Sequence, residues 1–212
     1  MAFSKKITLK EAQKAGGKKY KEKIKKIIED YHKLPDEKKH QIHVYYGYGK
    51  GKTTAALGMA LRAVGYNYKI CMIQFIKGSW HYGEMTSSKR LEPEFELTAV
   101  GKGFVGIIDD KSPYEEHEKI AQEALRLSKE KIRSEKYDII ILDEINYAIN
   151  LGLIKIEDVL DLIKSKPQKL NLVLTGNHVR NEIIEIADLV TEMKEIKHPF
   201  KSGVKAKKGI DF

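Results

Sequence analysis

The sequence has almost no cysteine and no long apolar stretch. Its 212 residues include a single cysteine, Cys71, which excludes an internal disulfide and a multi-thiolate zinc site. Cys71 lies in the apolar segment 70–76 and is predicted to be a core residue. The longest aliphatic run, Ile139–Leu142, is far shorter than the roughly 20 residues of a membrane-spanning helix. The first 30 residues lack the apolar core of a signal peptide. We expect a soluble, cytoplasmic protein without a membrane partner.

Acidic residues are scarce relative to basic ones, and the formal net charge is +9. A basic excess is typical of nucleic-acid-binding proteins, but here it is confined to the ends of the chain. Residues 1–40 carry a net charge of +7 and residues 194–212 carry +4, whereas residues 41–193 carry −2. No segment interleaves basic and aromatic residues as an RNA-binding sheet does. We expect no nucleic-acid partner, although a non-enzymatic nucleotide-binding module with nucleic-acid-binding tails stays open.

Length and periodicity predict one main domain, residues 41–212, preceded by a basic helical segment, residues 1–40. Apolar side chains share one face of the predicted amphipathic helix in this segment: Tyr20, Ile24, Ile27, Ile28 and Tyr31. Gly16-Gly17 separates this helix from a short helical stretch at 7–15, and Leu34-Pro35 ends it. The helix is interpreted either as a solvated helix docked on the main domain or as a lid.

The main domain alternates between short apolar runs and segments of helical periodicity. The predicted strands are 42–46, 69–75, 94–99, 137–142, 169–174 and 189–193. The predicted helices are 52–64, 113–134, 156–165 and 181–187. Strands that are apolar on both faces and alternate with helices favour a parallel sheet covered on both sides. We therefore predict an α/β fold with a mostly parallel central sheet of about six strands.

The sharpest motif lies between the first of these strands and the first of these helices. It reads Gly47-Tyr48-Gly49-Lys50-Gly51-Lys52-Thr53-Thr54. Its glycines let backbone N–H groups surround an anion, the helix N-terminus adds a positive dipole, Lys52 adds a charge, and Thr53 offers a hydroxyl to Mg²⁺. The loop is shorter than the usual P-loop, because Tyr46 stands where the first glycine would be needed. The motif predicts a phosphate-binding loop.

A second motif, Asp143-Glu144, follows the buried-type run Ile139–Leu142. Ligands bind beyond the carboxyl ends of parallel strands, so both carboxylates are expected near the phosphate loop, where they could hold Mg²⁺ directly or through water. The two motifs predict nucleotide binding but leave the reaction open. An ATPase, in which Glu144 orients a water molecule, a small-molecule kinase and another transferase all fit.

Further segments along residues 42–212 match one family. They are RAVG (62–65), QFIKGSW (74–80), LDEINYA (142–148), LTG (174–176), ADLVTEM (187–193), KHPF (197–200) and GVKAKKGI (203–210). Together with the shortened loop 47–54, they make the chain resemble the corrinoid adenosyltransferases of the CobA/CobO/BtuR type.

The resemblance implies a RecA-like P-loop fold, a homodimer, and ATP with Mg²⁺ as cosubstrates. It also implies transfer of the 5′-deoxyadenosyl group of ATP to the Co(I) of a corrinoid, with release of triphosphate, in adenosylcobalamin biosynthesis or salvage. A Co(I) nucleophile needs no side-chain base, so the protein has to position the reactants and stabilise the leaving triphosphate. A flavodoxin-type or other flavin electron donor is a possible acidic partner of the basic segments.

The roles implied for individual residues follow from the same resemblance. Loop residues 47–54 and Arg62 would bind ATP, and Arg62 would contact the ribose of the nucleotide. Lys52, Thr53 and Glu144 would be the catalytic residues. Thr53, Glu144 and Asp143 would bind Mg²⁺. Expected corrinoid contacts are Phe104, Trp80 and His198, and Trp80 is open between this role and packing at a subunit or lid interface.

The chain also departs from the family pattern. The segment 103–106 aligns with a Gly-Phe-Thr-Trp segment whose aromatic rings pack beneath the corrin ring, and here Phe104 is kept but Gly106 has no side chain. Tyr48 stands where the family usually has Asn, and Asn177 stands where Arg is common.

Overall fold

The computed structural model describes residues 17–33, 40–77, 81–101 and 112–212. The chain divides into two compact units, residues 1–38 and 39–212. In the first unit, helix α1 (Gly17–His32) is the described element, and it confirms the amphipathic helix that the sequence predicts. Four of our expectations concern residues outside the described ranges: the helical stretch at 7–15, the helix end at Leu34-Pro35, Trp80 and the segment 103–106.

The second unit is built on a six-stranded sheet. Its strands are β1 (Ile42–Tyr46), β2 (Ile70–Gln74), β3 (Phe95–Ala99), β4 (Ile139–Asp143), β5 (Asn171–Gly176) and β6 (Leu189–Glu192). They lie in the order β3-β2-β4-β5-β1-β6, and every neighbouring pair is parallel. This sheet confirms the predicted α/β class, the strand number and the parallel pairing.

Helices cover both faces of the sheet. They are α2 (Lys52–Val64), α3 (Gly83–Ser87), α4 (Tyr114–Arg133), α5 (Ile145–Asn150), α6 (Ile156–Lys164) and α7 (Asn181–Ile186). Two 3₁₀ turns, Ser88–Leu91 and Pro199–Ser202, complete the described elements. Helices α3 and α5, of five and six residues, were not predicted from the sequence, whereas the equally short α7 was.

The core consists of two clusters, one on each face of the sheet. Strand β4 contributes to both, because successive side chains of a strand point to opposite faces: Ile140 and Leu142 join the larger cluster, and Ile139 and Ile141 join the smaller one. The larger cluster packs against α4, α5, α6 and α7, and the smaller one packs against α2. Cys71 is fully buried, and burial raises the pKa of its thiol to about 12, which confirms it as a core residue.

The parallel arrangement brings the carboxyl ends of all six strands to one edge of the sheet. At this edge β1 leads into residues 47–51, β4 ends at Asp143, and β5, which lies between them, ends at Gly176.

None of the helices that the structure describes is long and apolar enough to cross a membrane.

Truncation of a core side chain tests this packing. Leu172 of β5 is completely buried, whereas Leu189 of the edge strand β6 is 38% exposed. We expect Leu172→Ala to lower the free energy of unfolding by about 2–5 kcal/mol, because it removes buried methyl groups and leaves a cavity. The matched control Leu189→Ala should cost about 0.5 kcal/mol or less. Urea denaturation measures both, and equal effects would contradict the assigned core.

Candidate active site

The phosphate loop begins directly after β1 and ends at the first residue of α2. Gly47 and Gly51 have φ angles of 107° and 111°, a left-handed conformation that other residues rarely adopt. A Cβ atom on Gly47 would lie 2.5 Å from the Met193 carbonyl oxygen, so only glycine fits there. The Gly47 N–H donates to the Asn177 carbonyl at 2.8 Å, and the Gly49 N–H donates to the Met193 carbonyl at 2.7 Å. The loop is therefore packed against the segments that follow β5 and β6.

Lys52 spans the inside of this loop from the N-terminus of α2. Its side chain is buried, and its Nζ donates to the Gly47 carbonyl at 2.7 Å and the Gly49 carbonyl at 3.0 Å. Burial lowers the pKa of the Lys52 ammonium, and the charges of Glu144 and Asp143 oppose that shift. A positive charge and a helix N-terminus therefore point into the same small space, which is the arrangement of an anion site.

Asp143 is the buried acid at the end of β4, and both of its carboxylate oxygens are engaged with the protein. Oδ1 accepts from Thr53 Oγ1 at 2.9 Å and from Thr175 Oγ1 at 2.7 Å. Oδ2 accepts from Gln74 Nε2 at 3.2 Å and lies 3.5 Å from Lys77 Nζ. Because these contacts use the acceptor capacity of the carboxylate, Asp143 orients Thr53 and has little capacity left for a direct metal bond.

Glu144 has a different environment from its neighbour. Its backbone is left-handed, with φ of 64°, and its N–H donates to Thr175 Oγ1 at 2.9 Å. Burial and the adjacent Asp143 charge raise the pKa of the Glu144 carboxyl to about 7, although Lys52 and Lys77 act in the opposite direction. Among the described residues no side chain or N–H hydrogen-bonds this carboxylate. Within the described part of the chain, the ionised Glu144 carboxylate therefore has no positively charged group in direct contact.

These residues fit a magnesium ion better than a metal held by protein side chains alone. The part of the chain that the structure describes contains no group of three or more His, Cys, Asp and Glu residues placed to hold a metal. Mg²⁺ in nucleotide sites takes one or two protein oxygens and completes its shell with phosphates and water. The Glu144 carboxylate and the Thr53 hydroxyl meet that requirement.

Lys77, Glu84 and Gln74 belong to the site but were given no role from the sequence. Lys77 Nζ lies 3.2 Å from Glu84 Oε1 and 4.9 Å from the centre of the Tyr82 ring. Burial alone would lower the pKa of Lys77, but Asp143 and Glu84 raise it above its ordinary value. The sequence contained a signal for the role of Gln74 in the site, because Gln74 is a polar residue at the carboxyl end of a buried strand, as Asp143 is.

A cavity of about 530 Å³ joins these groups. Its lining includes most of the predicted nucleotide residues: Lys50, Gly51, Lys52, Thr53, Thr54 and Glu144. Lys77 and Glu84 form another side, and the last four residues of the chain, Gly209–Phe212, form a further wall. The phosphate loop and the acid that follows β4 thus face one shared space, as the sequence predicts.

Six of the predicted site residues that the structure describes lie outside this cavity lining: Gly47, Gly49 and Asp143, whose contacts are given above, and Arg62, Tyr48 and His198. Arg62 is exposed in the last turn of α2, ten residues and therefore about 15 Å along the helix from Lys52. Tyr48 is 68% exposed, and its hydroxyl hydrogen-bonds His178 Nε2 at 2.8 Å. His198 Nδ1 accepts from the Phe200 N–H at 3.2 Å and caps the 3₁₀ turn. Their assignments to nucleotide and corrinoid stay predictions, as do those of Trp80 and Phe104, which lie outside the described residues.

Comparison with known proteins identifies relatives of the whole second unit. The model of a family described as ATP:corrinoid adenosyltransferase BtuR/CobO/CobP matches residues 38–212. A corrinoid adenosyltransferase of a Sinorhizobium species is 38% identical over 178 residues, which are 83% of this chain and 82% of that protein. The corrinoid adenosyltransferase of Escherichia coli strain K12 is 35% identical over 171 residues, 81% of this chain and 85% of that protein.

A solved structure supports the fold independently of sequence. The flagellar accessory protein FlaH of Methanocaldococcus jannaschii superposes with a TM-score of 0.50, covering 72% of this chain and 70% of that chain at 13% identity. This likeness concerns the fold alone. It agrees with the predicted α/β fold built on a parallel sheet.

The change in protein stability caused by substitution of Glu144 should vary with pH in a defined direction. At pH well below 4.5 the Glu144 carboxyl is protonated in both the folded and the unfolded protein, so its burial as a charge does not lower the free energy of unfolding. Above pH 7 it is ionised in both states, and the folded protein bears the cost of the buried charge. We expect Glu144→Gln to raise the free energy of unfolding at pH 8 by about 1–3 kcal/mol, with the gain fading toward pH 4.5.

Urea denaturation in EDTA, without nucleotide, measures this difference. Glu185→Gln, a substitution of an exposed acid on α7, is the control and should change stability little at either pH. A Glu144→Gln effect that is the same at pH 8 and pH 4.5 would contradict the burial of this charge.

Proposed function

The chain belongs to the ATP:corrinoid adenosyltransferase family BtuR/CobO/CobP, and from this premise we propose that it transfers the 5′-deoxyadenosyl group of ATP to a corrinoid with release of triphosphate. The observation that carries the proposal is the cavity in which Lys50, Lys52, Thr53 and Glu144 face one space. This arrangement suits a polyphosphate and a divalent cation.

The proposed reaction is a displacement at C5′ of ATP. The Co(I) centre of the substrate donates an electron pair to C5′, a Co–C bond forms, and the C5′–O bond breaks. The electron pair of that bond leaves with the triphosphate, and cobalt becomes formally Co(III). The nucleophile belongs to the substrate, so the proposed chemistry requires no side-chain general base.

The protein contributes position and charge. Lys52 lies inside the phosphate loop at the N-terminus of α2, where its ammonium can stabilise negative charge that develops on the leaving triphosphate. Lys50 lines the mouth of the same cavity, and Lys77 adds a third ammonium. Asp143 holds the Thr53 hydroxyl in place through its 2.9 Å hydrogen bond. Mg²⁺, held by Glu144 and Thr53, would neutralise part of the phosphate charge when bound.

The corrinoid side of the site is proposed from the family resemblance. Phe104 and Trp80 are candidates for the ring contact, with His198 as a further candidate. The basic segment 1–40 is our candidate for a lid, and its charge suits a flavodoxin-type electron donor. We also propose a cytoplasmic homodimer.

A product assay tests the reaction. The protein is incubated with ATP, Mg²⁺ and a chemically reduced Co(I) corrinoid, and adenosylated corrinoid is followed by absorbance while triphosphate is resolved by ion-exchange chromatography. We expect both products in equal amounts. ADP and phosphate formed without corrinoid, as the sole products, would instead favour an ATPase or a kinase.

In the same assay, Lys52→Met should lower kcat/KM about 100-fold or more, because it removes a charge aimed at the leaving group and keeps the buried volume. Lys69→Met is the control. It removes a lysine that pairs with Glu94 and does not line the cavity, so turnover should stay near that of the unmodified protein. Similar losses in both variants would show that the phosphate loop is misassigned.

Deletion of residues 1–31 tests the lid. We expect KM for the corrinoid to rise several-fold more than KM for ATP, because a lid would contact the larger substrate. The unmodified chain is the reference, and circular dichroism checks that the remaining domain is folded. Equal changes in the two KM values would argue against a lid.

A further inference from the structure

The C-terminal turn, Gly209–Phe212, is part of the phosphate site and not a free tail. The Ile210 and Asp211 N–H groups donate to the Lys207 carbonyl, and the Gly209 N–H donates to the Phe212 carbonyl at 2.7 Å. The Asp211 side chain closes the turn, because its Oδ2 accepts from the Lys207 N–H at 2.7 Å. The turn is therefore ordered by its own hydrogen bonds where it forms a wall of the cavity.

Asp211 also binds the phosphate loop. Its Oδ1 forms an ion pair with Lys50 Nζ, although the two residues are 161 positions apart in the sequence. The Asp211 side chain is 19% exposed, and the Lys50 side chain is 48% exposed. A carboxylate thus lies on a lysine at the mouth of a site built for a polyanion.

The lysines that line the cavity, as far as the chain is described, all have internal partners. Lys52 is bound to backbone carbonyls of the loop, and Lys77 is bound to Glu84, with side chains only 12% and 13% exposed. Neither partner can leave without movement of the loop or of a buried ion pair. The Asp211 carboxylate pairs with the most exposed of the three lysines, so it is the partner that an incoming anion can displace.

We propose that Asp211 is an internal counter-ion that competes with the triphosphate group for Lys50. The Lys50–Asp211 ion pair breaks when the nucleotide binds and forms again when triphosphate leaves. The identity of the polyanion rests on the proposed function. Asp211 does not touch the reacting atoms and acts through Lys50, so it is a positioning residue.

The physical reason is the strength of the product complex. Triphosphate is a multiply charged anion, and each ammonium group in a partly enclosed site binds it more strongly than in water. A carboxylate tethered beside one ammonium offsets that attraction, because it restores the ion pair as the product departs. The site therefore retains its lysines for catalysis without holding the product as tightly.

Calorimetric titration with inorganic triphosphate and Mg²⁺ tests the proposal. Asp211→Asn should bind triphosphate about 3- to 10-fold more tightly than the unmodified protein. The matched control is Glu195→Gln, which removes the same charge from an acid paired with Lys201 in the same C-terminal region, away from the cavity lining. The control should change affinity less than about 2-fold. Unchanged or weaker binding by Asp211→Asn overturns the proposal.

A double-mutant cycle with Lys50 separates competition from a general charge effect. In the Lys50→Met background, Asp211→Asn should no longer tighten binding, because the lysine for which the two anions compete is absent. A full effect in that background would overturn the proposal. Asp211→Glu keeps the ion pair and should bind triphosphate like the unmodified protein.

Turnover gives a second readout. The inhibition constant of triphosphate should fall in Asp211→Asn by the same factor as its dissociation constant, while kcat does not rise. An unchanged inhibition constant contradicts the proposal. The titrations need no corrinoid, so a failure of the proposed function, seen as absence of adenosylated corrinoid with the unmodified protein, is distinguishable from a failure of this inference.

Discussion

The buried carboxylate of Asp143 is the interaction on which the site depends. Its two oxygens connect β4 to Thr53 on α2, to Thr175 on β5, and to Gln74 at the end of β2. An ionised acid with no solvent exposure is costly unless donors surround it. Here the donors come from three different strands or helices. The same hydrogen bonds that make the charge tolerable therefore also fix the relative positions of those elements.

Glu144 shows the complementary arrangement. It follows Asp143 directly, yet its left-handed backbone turns its carboxylate toward the cavity, where nothing in the described part of the chain hydrogen-bonds it. Two adjacent acids thus have separate tasks: one is satisfied and structural, and the other is unsatisfied and available to a cation. The unfavourable environment of Glu144 is the kind of local cost that functional sites carry and the rest of the fold offsets.

The parts of the fold that the sequence predicts well are those with a strong local pattern. Strand β1 and helix α2 begin and end where predicted, because an apolar run, a glycine loop and a helical period meet there. Lys77 and Asp211 reach the site only through tertiary structure, and no local pattern connects Lys50 with a residue 161 positions away. The corrinoid residues Phe104 and Trp80 stay predictions.

The position of β5 between β1 and β4 determines the width of the site. Neighbouring strands lie about 4.8 Å apart, so the base of the phosphate loop and the base of the acidic pair are separated by about 10 Å of hydrogen-bonded backbone. This distance is set by the main-chain hydrogen bonds between β1, β5 and β4. Side-chain substitutions along β1, β4 and β5 that keep the strand pairing leave this distance between the strand ends unchanged.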